Sequence, residues 1–352
     1  MLLRSSSLLL AMTLFVLAQA ASALVAIDWV TVGNPGNPCD PQTAGCFGSV
    51  AEPYQIGKYE VTNRQYAEFL NAVAATDTHA LYNTNMATAG NPSFGGITRT
   101  GSSGSFTYSA IVGREEMAVN WVSFWDATRF ANWLHNGQPV GAQDGTTTED
   151  GAYTLTPAGI AGNTVTRNVG AEKFIPNEDQ WYKAAYYNPG SVNDPNAIVY
   201  FEYPAGFNAQ VTCMAPPGIA NSANCANAAG DLTDVGSYVN SSSPNGTFDQ
   251  AGNVSEVTDV IIVASVPSRV LRGNGWFASF GHTASATARF PADVTAERSY
   301  HGFRVGSTIA APPAVLSTSP VGATALIGLL GLSCCWSLRV WARVTSSIAF
   351  ER

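Results

Sequence analysis

Residues 188–243 carry neither the 3.6-residue spacing of a helix nor a sustained alternation of polar and apolar positions; Pro, Gly, Asn and Ala dominate them. Ordering so long a loop costs backbone entropy that its own side chains do not return. Bridges or bound ions must therefore tie it down. The rest of the chain shares this character, with 33 Gly and 19 Pro among 352 residues, so a turn-rich fold is expected and a helical bundle is excluded. A 46% hydrophobic share supplies a core and excludes a disordered or fibrous chain. The net charge of −8 comes without basic runs, which excludes nucleic acid as a partner, since that affinity rests on neutralised phosphates.

The two ends read differently from the middle. Arg4, the apolar run through Leu17 and the small residues ending at Ala23 have the layout of a secretory signal over 1–23, cleaved after Ala23 or after Ala20. Residues 307–320 form a Pro/Ser/Ala stalk. Residues 321–338 contain no charge and, at about 1.5 Å per helical residue, are just long enough for a hydrocarbon core. Arg339 and Arg343 then place the tail 339–352 on the cytoplasmic side. Stalk, apolar tract and arginines resemble the sorting tails of exported bacterial proteins named for a Pro-Glu-Pro motif, with Ala311-Pro312-Pro313 in its place. The protein is thus expected in the cell envelope or outside, anchored by or sorted through its C-terminal segment.

Between the ends, residues 24–306 read as one domain. Thr62 with Gln65, Ser123 with Asp126, and Asn177 with Gln180 each match the pairing that satisfies the bare amides of a helix's first turn. Each opens a short helix, with Tyr66, Phe69 and Leu70, then Phe130 and Leu134, then Trp181 and Ala185 facing inward. Residues 97–100 and 106–111 flank Gly101-Ser102-Ser103-Gly104 as a hairpin. Cys39 with Cys46, and Cys213 with Cys225, have spacings suited to short-loop disulfides in an exported chain. Cys334 and Cys335 fall in the apolar tract.

Phosphate loops, nucleophile elbows and paired-histidine motifs are absent, and His79, His135, His282 and His301 are scattered. The segment 245–256 is the densest in chemistry. Asp249 and Glu256 stand seven residues apart around Gly252-Asn253. Two carboxylates with free carbonyls between them suit calcium; equally, the two acids can cap a helix after a polar turn.

Several segments together resemble the sulfatase-modifying factor, or formylglycine-generating enzyme, superfamily. They are Tyr54 through Asn63, Val119-Asn120-Trp121-Val122-Ser123-Phe124-Trp125, Phe174-Ile175-Pro176-Asn177, Gly246 through Glu256, Arg272-Gly273-Asn274-Gly275-Trp276 and Gly302-Phe303-Arg304, in the family's order. The resemblance spans about 30–306. It implies an α+β, turn-rich, C-type-lectin-like domain with short helices, short antiparallel strands and structural calcium. Carried over, it gives the metal the side chains of Asp249 and Glu256 and the carbonyls of Gly252 and Val254. Asn224 and Asp231 are the best candidates for a second calcium. Ser255 and Val257 stand where relatives carry Trp.

The resemblance breaks at the reaction. Formylglycine-generating enzymes hold copper(I) between two cysteines that follow the Arg-Gly-Gly-Ser-Trp segment. Here residues 272–303 contain no cysteine; Ala278 stands near the first position, and His282 or Thr283 near the second. Soft copper(I) needs thiolates, so copper and cysteine oxidation are not expected and Ala278, His282 and Thr283 mark a vestigial cleft. What remains is an anchored, non-oxidising binding or structural module for an extracytoplasmic peptide or glycan. The alternative is an oxidoreductase or other side-chain-modifying enzyme on the same scaffold, using His282, Arg289 and Arg304. The bland reading of both arginines is that they pair with buried carboxylates.

Overall fold

The computed structural model describes residues 24–309 apart from 195, 263–265 and 279–280. The expected signal at 1–23, the apolar tract at 321–338 with Cys334 and Cys335, and the tail lie outside the described residues. Within them, no helix is long and apolar enough to cross a membrane.

Helix α1 (Asn63–Val73) starts at a capping box in which Thr62 and Gln65 each accept from the other's backbone N–H. The same device opens α2 (Phe124–His135) at Ser123 and Asp126. A one-turn helix α3 (Pro157–Ala161), not anticipated from periodicity, is set by the Thr156 cap and a proline in its first turn. Helix α4 (Glu178–Tyr186) begins at Asn177, and the chain leaves it through the expected Asn188-Pro189-Gly190 turn.

Tyr66 and Phe69 of α1 meet Phe130 of α2 with ring centroids 6.1 and 5.3 Å apart, and Phe303 closes on Phe130 at 5.4 Å. This aromatic block is the centre of the largest core cluster. One four-stranded sheet runs Trp29–Val32, Tyr54–Gly57, Gly306–Thr308, Lys173–Phe174. Its strand Gly306–Thr308 carries regular structure to 308, past the expected boundary at 306. The second runs Phe290–Asp293, Ser268–Arg272, Ser255–Ile262, His301–Gly302. The hairpin Ile97–Thr100 with Thr107–Ala110 forms as expected.

Three buried guanidiniums lie beside this second sheet, each with an acid partner: Arg269 with Asp259, Arg272 with Glu178, Arg304 with Glu256. Cys39–Cys46 and Cys213–Cys225 are both disulfides. The second ties down the loop-rich stretch, helped by a two-residue parallel pairing of Thr212–Cys213 with Ser222–Ala223. Short helices, two four-stranded sheets with three two-stranded ones, and long tied loops make an α+β fold.

Candidate functional site

The strand Ser268–Arg272 ends at Gly273 and Asn274, both with positive φ, which reverse the chain and deliver Trp276. A side chain at Gly273 would press on the Gln250 carbonyl at 3.0 Å, so glycine is required there. Trp276 is fixed by its own backbone: its N–H donates to the Asn253 carbonyl at 2.8 Å, and its carbonyl accepts from the Asn227 N–H at 2.9 Å. The indole packs on Ala118, Leu232 and Val254 and is 5% exposed. It forms a floor. Phe94 stands 4.5 Å from it and Phe277 6.0 Å, and Tyr300 closes on Phe277 at 4.4 Å.

Phe94 is held at positive φ by its N–H to the Gly90 carbonyl, while its own carbonyl accepts from Arg114 and Asn120. The result is an open depression of about 700 Å³, with Asn91, Asn227, Asp231 and Ser299 among its polar lining. The Asp231 carboxylate accepts from both terminal nitrogens of Arg114, at 2.6 and 3.0 Å. Its charge is therefore compensated within the protein.

The segment 245–256 lies behind this floor. Gly252 has positive φ, and a Cβ there would collide with the Asn224 carbonyl. Asp249 accepts from the Gly236 N–H at 2.5 Å. Burial pushes its carboxyl up to about 6. Burial, and then Asp249 itself, raise nearby Glu60 well above the usual carboxylate range. Glu60 accepts from Asn253 at 3.2 Å through one oxygen, while its other oxygen is buried without a partner.

Glu256 is fully buried: Arg304 donates to its two oxygens at 2.5 and 2.7 Å, and the Trp181 indole donates at 2.8 Å. No helix follows; the segment runs into the strand Ser255–Ile262. A fully desolvated guanidinium already supplies the positive charge that the carboxylate needs. The donor set Asp249, Gly252, Val254 and Glu256 therefore does not fit a calcium ion as arranged. Nor do Asn224 and Asp231 assemble a second site, because the Asp231 carboxylate is committed to Arg114. Asn224 donates to the Asp231 carbonyl, with its own side-chain oxygen buried and unpartnered. Among the described residues, no group of three or more His, Cys, Asp or Glu could hold a metal ion.

A model of the sulfatase-modifying factor enzyme 1-like domain matches residues 41–309. The chain belongs to that family. No curated protein matches it. Among solved structures, it is similar to CarF at 19% identity and a TM-score of 0.50, over 81% of this chain and 99% of that one. It is also similar to PvdO from Pseudomonas aeruginosa, at 16% identity and 0.42 over 80% and 92%. Treponema denticola variable protein 1 matches at 15% identity and 0.42, over 81% and 96%.

The residues that the sequence resemblance sets near the cysteine positions are placed as follows. Ala278 follows the aromatic floor, its carbonyl accepting from the Ala226 N–H at 2.8 Å. His282 and Thr283 sit on the short helical turn Gly281–Ala284, where Thr283 accepts from Asn274. The other histidines have structural surroundings. His79 lies 3.5 Å from Glu149, and His135 accepts from the Glu172 N–H. His301 is buried against the Ala296 carbonyl, and desolvation pulls it down to about 4. Arg289 and Arg304 pair with the buried carboxylates of Glu178 and Glu256, as the bland reading held.

Phe94, Asn91, Asn227, Phe277, Ser299 and Tyr300 escaped sequence reasoning. The one local signal was Phe277 following Trp276, two large aromatics between Gly275 and small residues.

Proposed function

We propose that this protein is an exported, membrane-anchored, non-oxidising member of its family that recognises an extracytoplasmic peptide or glycan in the aromatic depression. The depression itself carries the reading. Its size falls within the roughly 300–1,000 Å³ usual for ligand sites. Exposed rings gathered in one concavity are costly to hydrate unless a ligand covers them.

The absence of oxidase chemistry rests on thiols. Residues 272–303 contain no cysteine, and the four cysteines at 39, 46, 213 and 225 are spent in two bridges. The same bridges support export, because disulfides persist in oxidising compartments. Anchoring rests on the composition of 321–338. An enzyme built on His282, Arg289 and Arg304 is less favoured, since both guanidiniums are engaged by buried carboxylates.

Two measurements test the reading. Co-expression with a sulfatase should leave the target cysteine at its unmodified mass; a formylglycine product overturns the non-oxidising assignment. Glycan and peptide arrays probed with the purified protein should yield a ligand whose binding is lost in Tyr300→Ala. Silence on both arrays removes the binding role.

A further inference from the structure

We infer that the aromatic depression takes a neutral sugar ring, an assignment that rests on reading the depression as a binding site. Phe277 is 44% exposed, and Phe94 and Tyr300 are half-buried, so apolar ring surface meets solvent over a buried indole floor. Such surface suits a ligand with a flat C–H face. Sugars have that face, ringed by hydroxyls that both donate and accept.

The rim answers the hydroxyls. The side-chain amides of Asn91 and Asn227 enter no hydrogen bond among the described residues and are exposed at the opening. An amide also both donates and accepts, which suits a hydroxyl better than a fixed charge does.

Charge argues for a neutral ligand. Among the described residues, Asp231 is the one acidic or basic side chain lining the depression, and Arg114 neutralises it through two hydrogen bonds. A cationic ligand would have to compete with the buried Arg114 guanidinium, and an anionic one meets no Lys, Arg or His among the described lining residues. An extended peptide is disfavoured for a different reason. Peptides recognised through their backbone add to an open strand edge, whereas the segments lining this depression are all turns or irregular loops.

The test is titration of the intact purified protein with cellohexaose and chitohexaose as neutral probes, polygalacturonate oligomers as an anionic probe and a random peptide library, read by tryptophan fluorescence. A neutral oligosaccharide should bind, change little over a roughly tenfold rise in salt, and weaken about tenfold in Phe277→Ala. Phe277 is exposed, so this variant is expected to fold. Asn91→Ala/Asn227→Ala, which touches only the rim, should weaken the same probe and provides a second check. Binding of polygalacturonate alone, with a steep salt dependence, overturns the inference. Binding of peptides alone overturns it while leaving the proposed binding function standing. If no probe binds in a Phe277-dependent way, both fall.

Discussion

Glu256 shows how much one side chain can settle. A carboxylate with no exposure, two guanidinium hydrogen bonds and an indole donor is an internal ion pair. Removing one partner strands the other charge, at a cost of about 3–5 kcal/mol. Glu256→Gln should lower the free energy of unfolding by that amount equally in calcium and in chelator. A loss that shrinks when calcium is stripped would show the carboxylate holding a cation instead. Asp126 gives the second residue-scale prediction. Burial raises its carboxyl to about 7, against roughly 3.9 in an unfolded chain. The folded protein thus binds a proton that the unfolded chain releases between those values. The stabilisation is complete below the unfolded value and is lost as pH climbs to about 7. His301, depressed to about 4, works the other way: its contribution is complete above roughly 6.5 and lost on acidification. The difference between wild type and Asp126→Asn isolates the aspartate, because an asparagine oxygen can still accept from Ser123. Urea midpoints of the variant should fall less steeply between about pH 4 and 7; an unchanged slope rejects the assignment.

At the scale of elements, the caps were readable and most contacts were not. Thr62, Ser123 and Asn177 act on amides three residues away, so their meaning is contained in a short window. The Cys39–Cys46 and Cys213–Cys225 pairs were likewise close in sequence. Arg304 finds Glu256 across 48 residues and Arg114 finds Asp231 across 117, and no local spacing encodes either. Helix α3 was missed because five residues are too few to show periodicity. What α1 and α2 contribute is a shared aromatic block. Phe130 is fully buried and touches rings from both helices and Phe303. Phe130→Ala should cost about 3–5 kcal/mol, the usual price of an aromatic cavity. Chemical denaturation measures it, and a loss below about 1 kcal/mol would mean that the block collapses to fill the space.

Over the molecule as a whole, four segments meet at the depression: 90–94, 227–231, 276–277 and 299–300. They are loops, and loops hold a shape only where something fixes them. The segment carrying Asn227 and Asp231 is fixed in two ways. Its backbone bonds to Trp276 and Ala278, and Cys225 bridges to Cys213 twelve residues upstream. A closed loop of that size restrains the unfolded chain by about 3 kcal/mol. Cys213→Ala/Cys225→Ala should therefore lower Tm by roughly 6–12 °C for a domain of this size. It should also free the Asn227 rim, so affinity for a depression ligand should fall even at temperatures where the variant remains folded. The Cys39–Cys46 pair, in a hairpin against Tyr182, has no share in the depression. Its double alanine variant should lose stability and keep binding. Equal loss of affinity in both variants would mean that binding tracks global stability and not the loop that presents the rim.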